Sequence, residues 1–285
     1  MTLRQGQHTI VIDGVTQAFE VAGSGPICIA HSGGPGIRSG YLRVPPLEQR
    51  LTMVYLDPIG TGRSGLLPGG AYSMERYAAF SGKLAEHLGV ERYFFLGHSH
   101  GGCVGLQLAL DAPEVLEGLI LYSGAPVFGS VLFEESGRQV EAKVARWHDR
   151  EEVVEAARVF RAQAAHGLVF PDQEAASAYL NDVLPLYFAD YRHTVAELGS
   201  LRADLTFDPD RRHYDWDVRA ELHKIGTRTL IISGRHDFIS PPRWVDELRS
   251  ELPVALLAEL TESGHFGHLE EPERFADAVL AFTAG

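Results

Sequence analysis

The stretch that most constrains the fold is residues 94 to 102, Phe-Phe-Leu-Gly-His-Ser-His-Gly-Gly, where an apolar strand-like run meets a helix-like one across a single tight turn. The helix pattern that follows, as far as Ala112, is apolar nearly all round. Such a helix has no face to offer water and must be covered on every side. A buried strand feeding a buried helix belongs in a largely parallel sheet with helices on both faces.

The rest of the chain repeats that alternation. Runs rich in β-branched and aromatic residues lie at about 8–12, 17–22, 27–31, 52–57, 93–97, 116–122, 229–233 and 255–260, which predicts eight strands. Helical patterns fall between most of them, at Met74 to Leu88, Pro242 to Leu252 and about Pro272 to Phe282. Asp13-Gly14 joins the first two runs and is a hairpin signal, so the sheet begins antiparallel. The expected class is α/β, a mostly parallel eight-stranded sheet with helices on both faces.

One interval breaks the pattern. From about Val127 to Arg212 only helical segments appear, bounded by Ser123-Gly-Ala-Pro126 and Asp208-Pro-Asp-Arg, both chain-break signals. This predicts a helical cap at 127–212, inserted after the sixth strand into a core of 1–126 and 213–285. Its expected place is over the carboxyl ends of the strands, where open α/β sheets bind ligands. Leu186, Tyr187 and Phe188 are its candidate substrate-binding residues.

Charge narrows the partners. The 285 residues carry 25 Lys and Arg against 38 Asp and Glu, a net charge of −13. A sequence-independent nucleic-acid binder needs a basic footprint to release counterions, so that class is excluded. Docking on anionic lipid is disfavoured for the same reason. Cys28 and Cys103 are the only cysteines, each inside an apolar run, which fits a reducing compartment better than a disulfide framework. With no apolar leader and no 18-residue apolar run, the expectation is a cytoplasmic protein without a membrane span. Its expected partner is a small-molecule or short-peptide substrate, and oligomeric state is left open.

The tight turn carries chemistry. Gly97-His98-Ser99-His100-Gly101 fits G-x-S-x-G between a strand and a helix, the setting in which a serine hydroxyl is pushed clear of the sheet as a nucleophile. A nucleophilic serine needs a base and the base needs an orienting acid, which follow the serine in the order acid then histidine. Asp237 lies four residues past the run ending at Ser233, and His265 lies five past Leu260 in a Gly-flanked loop. His268 competes with His265 from the same loop. The N–H of His100 and that of Gly34, in the loop His31-Ser-Gly-Gly-Pro-Gly36, are the candidate oxyanion donors, with Ser32 and Pro35 beside them against the substrate. No metal or cofactor is called for: His98-x-His100 and His265-x-x-His268 lack the accompanying ligands of a zinc motif. Gly60-Thr-Gly-Arg-Ser-Gly65 runs into Leu-Leu-Pro68, which cannot open the helix a dinucleotide site requires.

Gly33-Gly-Pro-Gly36, Asp57-Pro-Ile-Gly-Thr-Gly-Arg-Ser64, the Ser99 elbow, the Gly234-Arg-His-Asp237 segment and Ser263-Gly-His-Phe-Gly-His-Leu-Glu-Glu-Pro-Glu-Arg-Phe275 resemble the α/β-hydrolase superfamily, and within it the proline iminopeptidase group. The resemblance covers residues 27 to 125 and 225 to 285. It implies an α/β-hydrolase fold and a serine hydrolase acting through an acyl-enzyme on a small ester, lactone or amide. The alternatives are a proline iminopeptidase releasing N-terminal residues, or a non-catalytic binding protein on the same fold. That group has histidine before its two glycines, where this chain has Ser32. It also grips the substrate's ammonium group with cap acids, for which Glu134, Glu135, Asp182, Asp190 and Glu197 are candidates by location alone. Both departures favour an ester or lactone substrate.

Overall fold

The computed structural model describes residues 3–164, 170–198 and 205–285. Eight strands form one sheet: β1 (Gly6–Ile12), β2 (Val15–Gly23), β3 (Ile27–His31), β4 (Thr52–Asp57), β5 (Tyr93–His98), β6 (Leu116–Tyr122), β7 (Thr229–Gly234) and β8 (Ala255–Leu260). Their order across the sheet is β1-β2-β4-β3-β5-β6-β7-β8. β1 and β2 pair antiparallel through the Asp13-Gly14 turn, both residues at positive φ, and β2 pairs antiparallel with β4. Every later pairing is parallel. Chain order reverses around β3, which lies between β4 and β5. That reversal opens the crevice at the carboxyl edge where this class of sheet holds ligands.

The alternation along each strand divides the core into two layers. Ile29, Val54, Phe95, Leu119 and Ile231 face the layer containing α1 (Met74–His87), α2 (His100–Asp111) and α7 (Pro242–Glu251). Cys28, Met53, Phe94, Ile120 and Ile232 face the layer containing α8 (Pro272–Thr283). The two cysteines therefore lie on opposite faces of the sheet, both buried and unpaired.

The interval after β6 is helical: α3 (Ser130–Arg146), α4 (Glu151–Ala164), α5 (Gln173–Asp182), a 3₁₀ turn at Leu184–Tyr187 and α6 (Tyr191–Leu198). It is not wholly without strand. Val127–Phe128 pairs antiparallel with Trp216–Asp217, closing the two ends of the insertion against each other. Two-residue strands leave no periodicity to read in the sequence, which is why this stem was not expected. Among the described residues no helix is long and apolar enough to cross a membrane.

Candidate active site

Four loops at the carboxyl edge of the sheet meet around one cavity of about 90 Å³. Ser99 follows β5, the Gly33-Gly34 loop follows β3, Asp237 follows β7 and His265 follows β8. Ser99 is held at φ 55°, ψ −118°, outside any region a serine favours. Such a conformation costs about 1–3 kcal/mol and persists only where its surroundings over-determine it. They do so here. The Ser99 N–H donates to the Tyr122 carbonyl oxygen at 2.9 Å, and its own carbonyl accepts the Gly102 N–H at 2.8 Å. A Cβ on Gly97 would lie 2.1 Å from the Gly101 carbonyl oxygen, and one on Gly101 would lie 2.4 Å from the His31 carbonyl oxygen. Only glycine lets strand, turn and helix approach this closely.

Asp237 is fully enclosed. Its Oδ1 accepts the Ile239 and Ser240 N–H groups at 2.9 and 3.0 Å, and its Oδ2 accepts His265 Nδ1–H at 2.8 Å. Burial alone would favour the neutral acid. The neighbouring His265 charge and hydrogen bond, with the two backbone donors, outweigh it and hold the carboxyl below its usual range. With Nδ1 committed as donor, a neutral His265 presents a bare Nε2 acceptor.

Ser99 and His265 line the same cavity. Among the described residues nothing is hydrogen-bonded to the Ser99 hydroxyl, so the expected Ser99–His265 bond is not formed in this geometry. Nucleophile–base contacts are often long without substrate and tighten when it binds. His268 points elsewhere: its Nδ1 accepts from the Tyr122 hydroxyl and its Nε2 donates to the Tyr41 carbonyl, both at 2.8 Å. Gly34 and His100 line the cavity, and neither backbone N–H has a partner among the described residues.

The wall of the cavity departs from expectation. Tyr187 lines it, but Leu186 and Phe188 do not. The 3₁₀ turn at Leu184–Tyr187 sets Leu186 and Tyr187 about a third of a turn apart, and Phe188 after it is extended, so of the three only Tyr187 reaches the cavity. Leu186 is buried in the core, and Phe188 packs its ring on Tyr191 and Phe266. Ser32 and Pro35 are also absent from the wall. The Ser32 hydroxyl is turned inward and donates to the Ile37 carbonyl at 2.6 Å, fixing the loop rather than facing a substrate.

What lines the cavity instead is Ile37, Tyr41, Phe128, Leu132, Phe133, Ile239 and Phe266. Phe128 comes from the short strand that opens the insertion, and Leu132 and Phe133 from the start of α3 just after it. Tyr41 carried no sequence signal, since it sits in a single 3₁₀ turn, Ser39–Leu42, too short to show a period. Among the described residues no carboxylate belongs to the wall. Glu134 and Glu135 are paired with Arg138, Glu135 also with Arg243 at 2.9 Å, and Asp190 with Arg150 at 3.6 Å. Asp182 is exposed, and the Glu197 side chain lies outside the described ones. Among the described residues no group of three His, Cys, Asp or Glu side chains converges to hold a metal ion.

The family model for the alpha/beta hydrolase fold matches residues 25–272. A protein of Stutzerimonas stutzeri (strain A1501), provisionally named carbamate hydrolase RutD, is 31% identical over 261 residues, covering 90% of each chain. Among solved structures, a proline iminopeptidase from Mycobacterium smegmatis superposes with a TM-score of 0.70 at 20% identity, covering 97% of both chains. A thermophilic esterase from Thermogutta terrifontis gives 0.69 at 21%, covering 97% of this chain and 96% of that one. At that identity the two structures speak for the fold alone, and the likeness to iminopeptidases goes no further than that. The family match takes in strands β3 to β8 and all four loops of the cavity, and the chain belongs to the α/β hydrolase fold family.

Proposed function

We propose that this protein is a serine hydrolase for small, uncharged esters, lactones or carbamate-like amides. His265 Nε2 takes the proton from Ser99 as its oxygen attacks the carbonyl, and Asp237 stabilises the imidazolium that results. The N–H groups of Gly34 and His100 receive the developing oxyanion. His265 returns the proton to the leaving group, and water then releases the acyl group by the same steps in reverse. The insertion at 127–212 serves as a lid, contributing Phe128, Leu132, Phe133 and Tyr187 to the wall.

The observation that carries the substrate class is that, among the described residues, no carboxylate lines that wall. An aminopeptidase must hold an ammonium group out of water, and an unpaired buried charge costs several kcal/mol. A cavity of about 90 Å³ lined by aromatic and aliphatic side chains suits a short neutral acyl group instead. The RutD-named relative supports a carbamate within this class.

Two measurements test the reading. Fluorophosphonate should label wild-type protein and leave Ser99→Ala untouched, whereas a non-catalytic binding protein would not be labelled. In a hydrolysis panel, p-nitrophenyl acetate, small lactones and methyl carbamates should be turned over and proline p-nitroanilide should not. Rapid cleavage of the proline arylamide, abolished by Glu135→Gln while acetate hydrolysis survives, would establish the iminopeptidase alternative.

A further inference from the structure

One hydrogen-bonded path crosses three of the four loops. The Gly33 N–H donates to the Tyr41 hydroxyl at 2.8 Å, the Tyr41 hydroxyl meets His98 Nδ1 at 2.5 Å, and His98 Nε2 meets the His265 carbonyl oxygen at 3.0 Å. Its polarity follows from the groups. A carbonyl oxygen only accepts, so His98 Nε2 carries the proton. Burial first, then the neighbouring His265 and His268 rings, hold His98 neutral well below the usual histidine range. A neutral ring leaves Nδ1 as acceptor, so Tyr41 donates its proton to His98. Burial also pushes the Tyr41 phenol up, so it keeps that proton.

The path runs behind the reacting atoms. Gly33 precedes the proposed oxyanion donor Gly34, and the site where a Gly33 Cβ would stand is 3.0 Å from the Ser99 Cβ. His98 precedes Ser99. The His98 and His265 rings lie 4.7 Å apart, and the Tyr41 ring meets His98 edge-on at 5.4 Å. With its only proton committed to His98, the Tyr41 hydroxyl is not a further oxyanion donor.

Resting on the serine-hydrolase reading above, we propose that Tyr41 and His98 are positioning residues: a strut that sets the distance between the oxyanion loop and the His265 loop across Ser99. Displacing a reacting group by about 1 Å costs on the order of 100-fold in rate, so a strut of this kind acts on turnover and hardly on binding.

The test is steady-state hydrolysis of p-nitrophenyl acetate by Tyr41→Phe, His98→Leu and His98→Gln, with melting temperatures alongside. Tyr41→Phe keeps the ring and removes only the link. It should lower kcat about 10- to 100-fold and leave KM and the melting temperature near wild type. His98→Leu should be at least as slow, and His98→Gln, whose amide can still donate and accept, should recover part of the loss. Wild-type kcat in Tyr41→Phe would overturn the proposal. So would a kcat loss that is matched by a lowered melting temperature, or one that glutamine does not relieve. If wild-type protein neither hydrolyses the ester nor reacts with fluorophosphonate, the serine-hydrolase reading fails and the strut fails with it. An active wild type with fully active variants sinks the strut alone.

Discussion

The backbone N–H of His265 donates to the Tyr187 carbonyl oxygen at 2.7 Å, so the loop carrying the imidazole is tied directly to the helical insertion. Glu270 extends the seam: its carboxylate accepts the Gly264 N–H at 2.6 Å and the Ala189 N–H at 2.7 Å. Lys143 of α3 donates to the Phe188 carbonyl, and Trp147 to that of Ala189 at 3.1 Å. Residues 187–189 are thus fastened on both sides, and the placement of His265 depends on contacts from the insertion.

Gly264 tests that seam. A Cβ there would stand 2.4 Å from the Tyr187 carbonyl oxygen and 2.9 Å from the Phe188 carbonyl carbon, and backbone cannot swing aside as a side chain can. Gly264→Ala should destabilise the protein by about 1–3 kcal/mol and lower turnover as His265 is displaced. Urea unfolding and ester hydrolysis check both, and an alanine variant with unchanged midpoint and rate would show the seam to be loose.

Asp237 is expected to act through the tautomer it imposes. In Asp237→Asn an amide can donate to Nδ1, which moves the ring proton to Nε2 and blocks base function. A loss of about 10⁴-fold in kcat is expected, by analogy with other triads, with little change in KM. A loss of only a few-fold would remove Asp237 from this role.

Stability should fall steeply in mild acid. Burial holds His31 and His268 at about 4, down from 6.5, and holds His98 and His100 well below the same value. Between those limits the unfolded chain binds protons that the folded one refuses, so stability rises with pH there. The contribution is fully present above about 6.5 and is lost as pH falls toward 4. Urea midpoints measured from pH 7 to 4 should drop continuously. His268→Gln should flatten the slope by about one proton, and an unchanged slope would mean that His268 is not held neutral.

The cavity wall predicts chain-length selectivity. Phe133 stands on the first turn of α3 and lines the cavity, so Phe133→Ala opens the acyl side. Wild-type protein should prefer p-nitrophenyl acetate to the octanoate. The variant should raise kcat/KM for the octanoate about tenfold or more, since a methylene or two of added room is worth that much. An unaltered acyl preference would place the acyl group elsewhere.

The sequence alone determined whatever depends on local repetition and on steric necessity. Eight strands, the Asp13-Gly14 turn and the strand–elbow–helix at Ser99 all follow from runs rich in β-branched and aromatic residues, positive-φ turn chemistry and glycines that nothing else can replace. Asp237 and His265 could be placed on one edge because each lies in the loop after a strand, and a parallel sheet brings strand ends to one edge whatever else the chain does. The helical interval was legible as helices, but not the face each helix turns inward. Leu186, Tyr187 and Phe188 are adjacent in sequence and all bulky, and only the 3₁₀ turn, docked by the His265 N–H, chose Tyr187 for the cavity. Tyr41 and His98 were hidden for a related reason: their hydrogen bonds span 8, 57 and 167 residues. A contact between loops leaves no period in the chain, because it is set by how the sheet brings distant ends together.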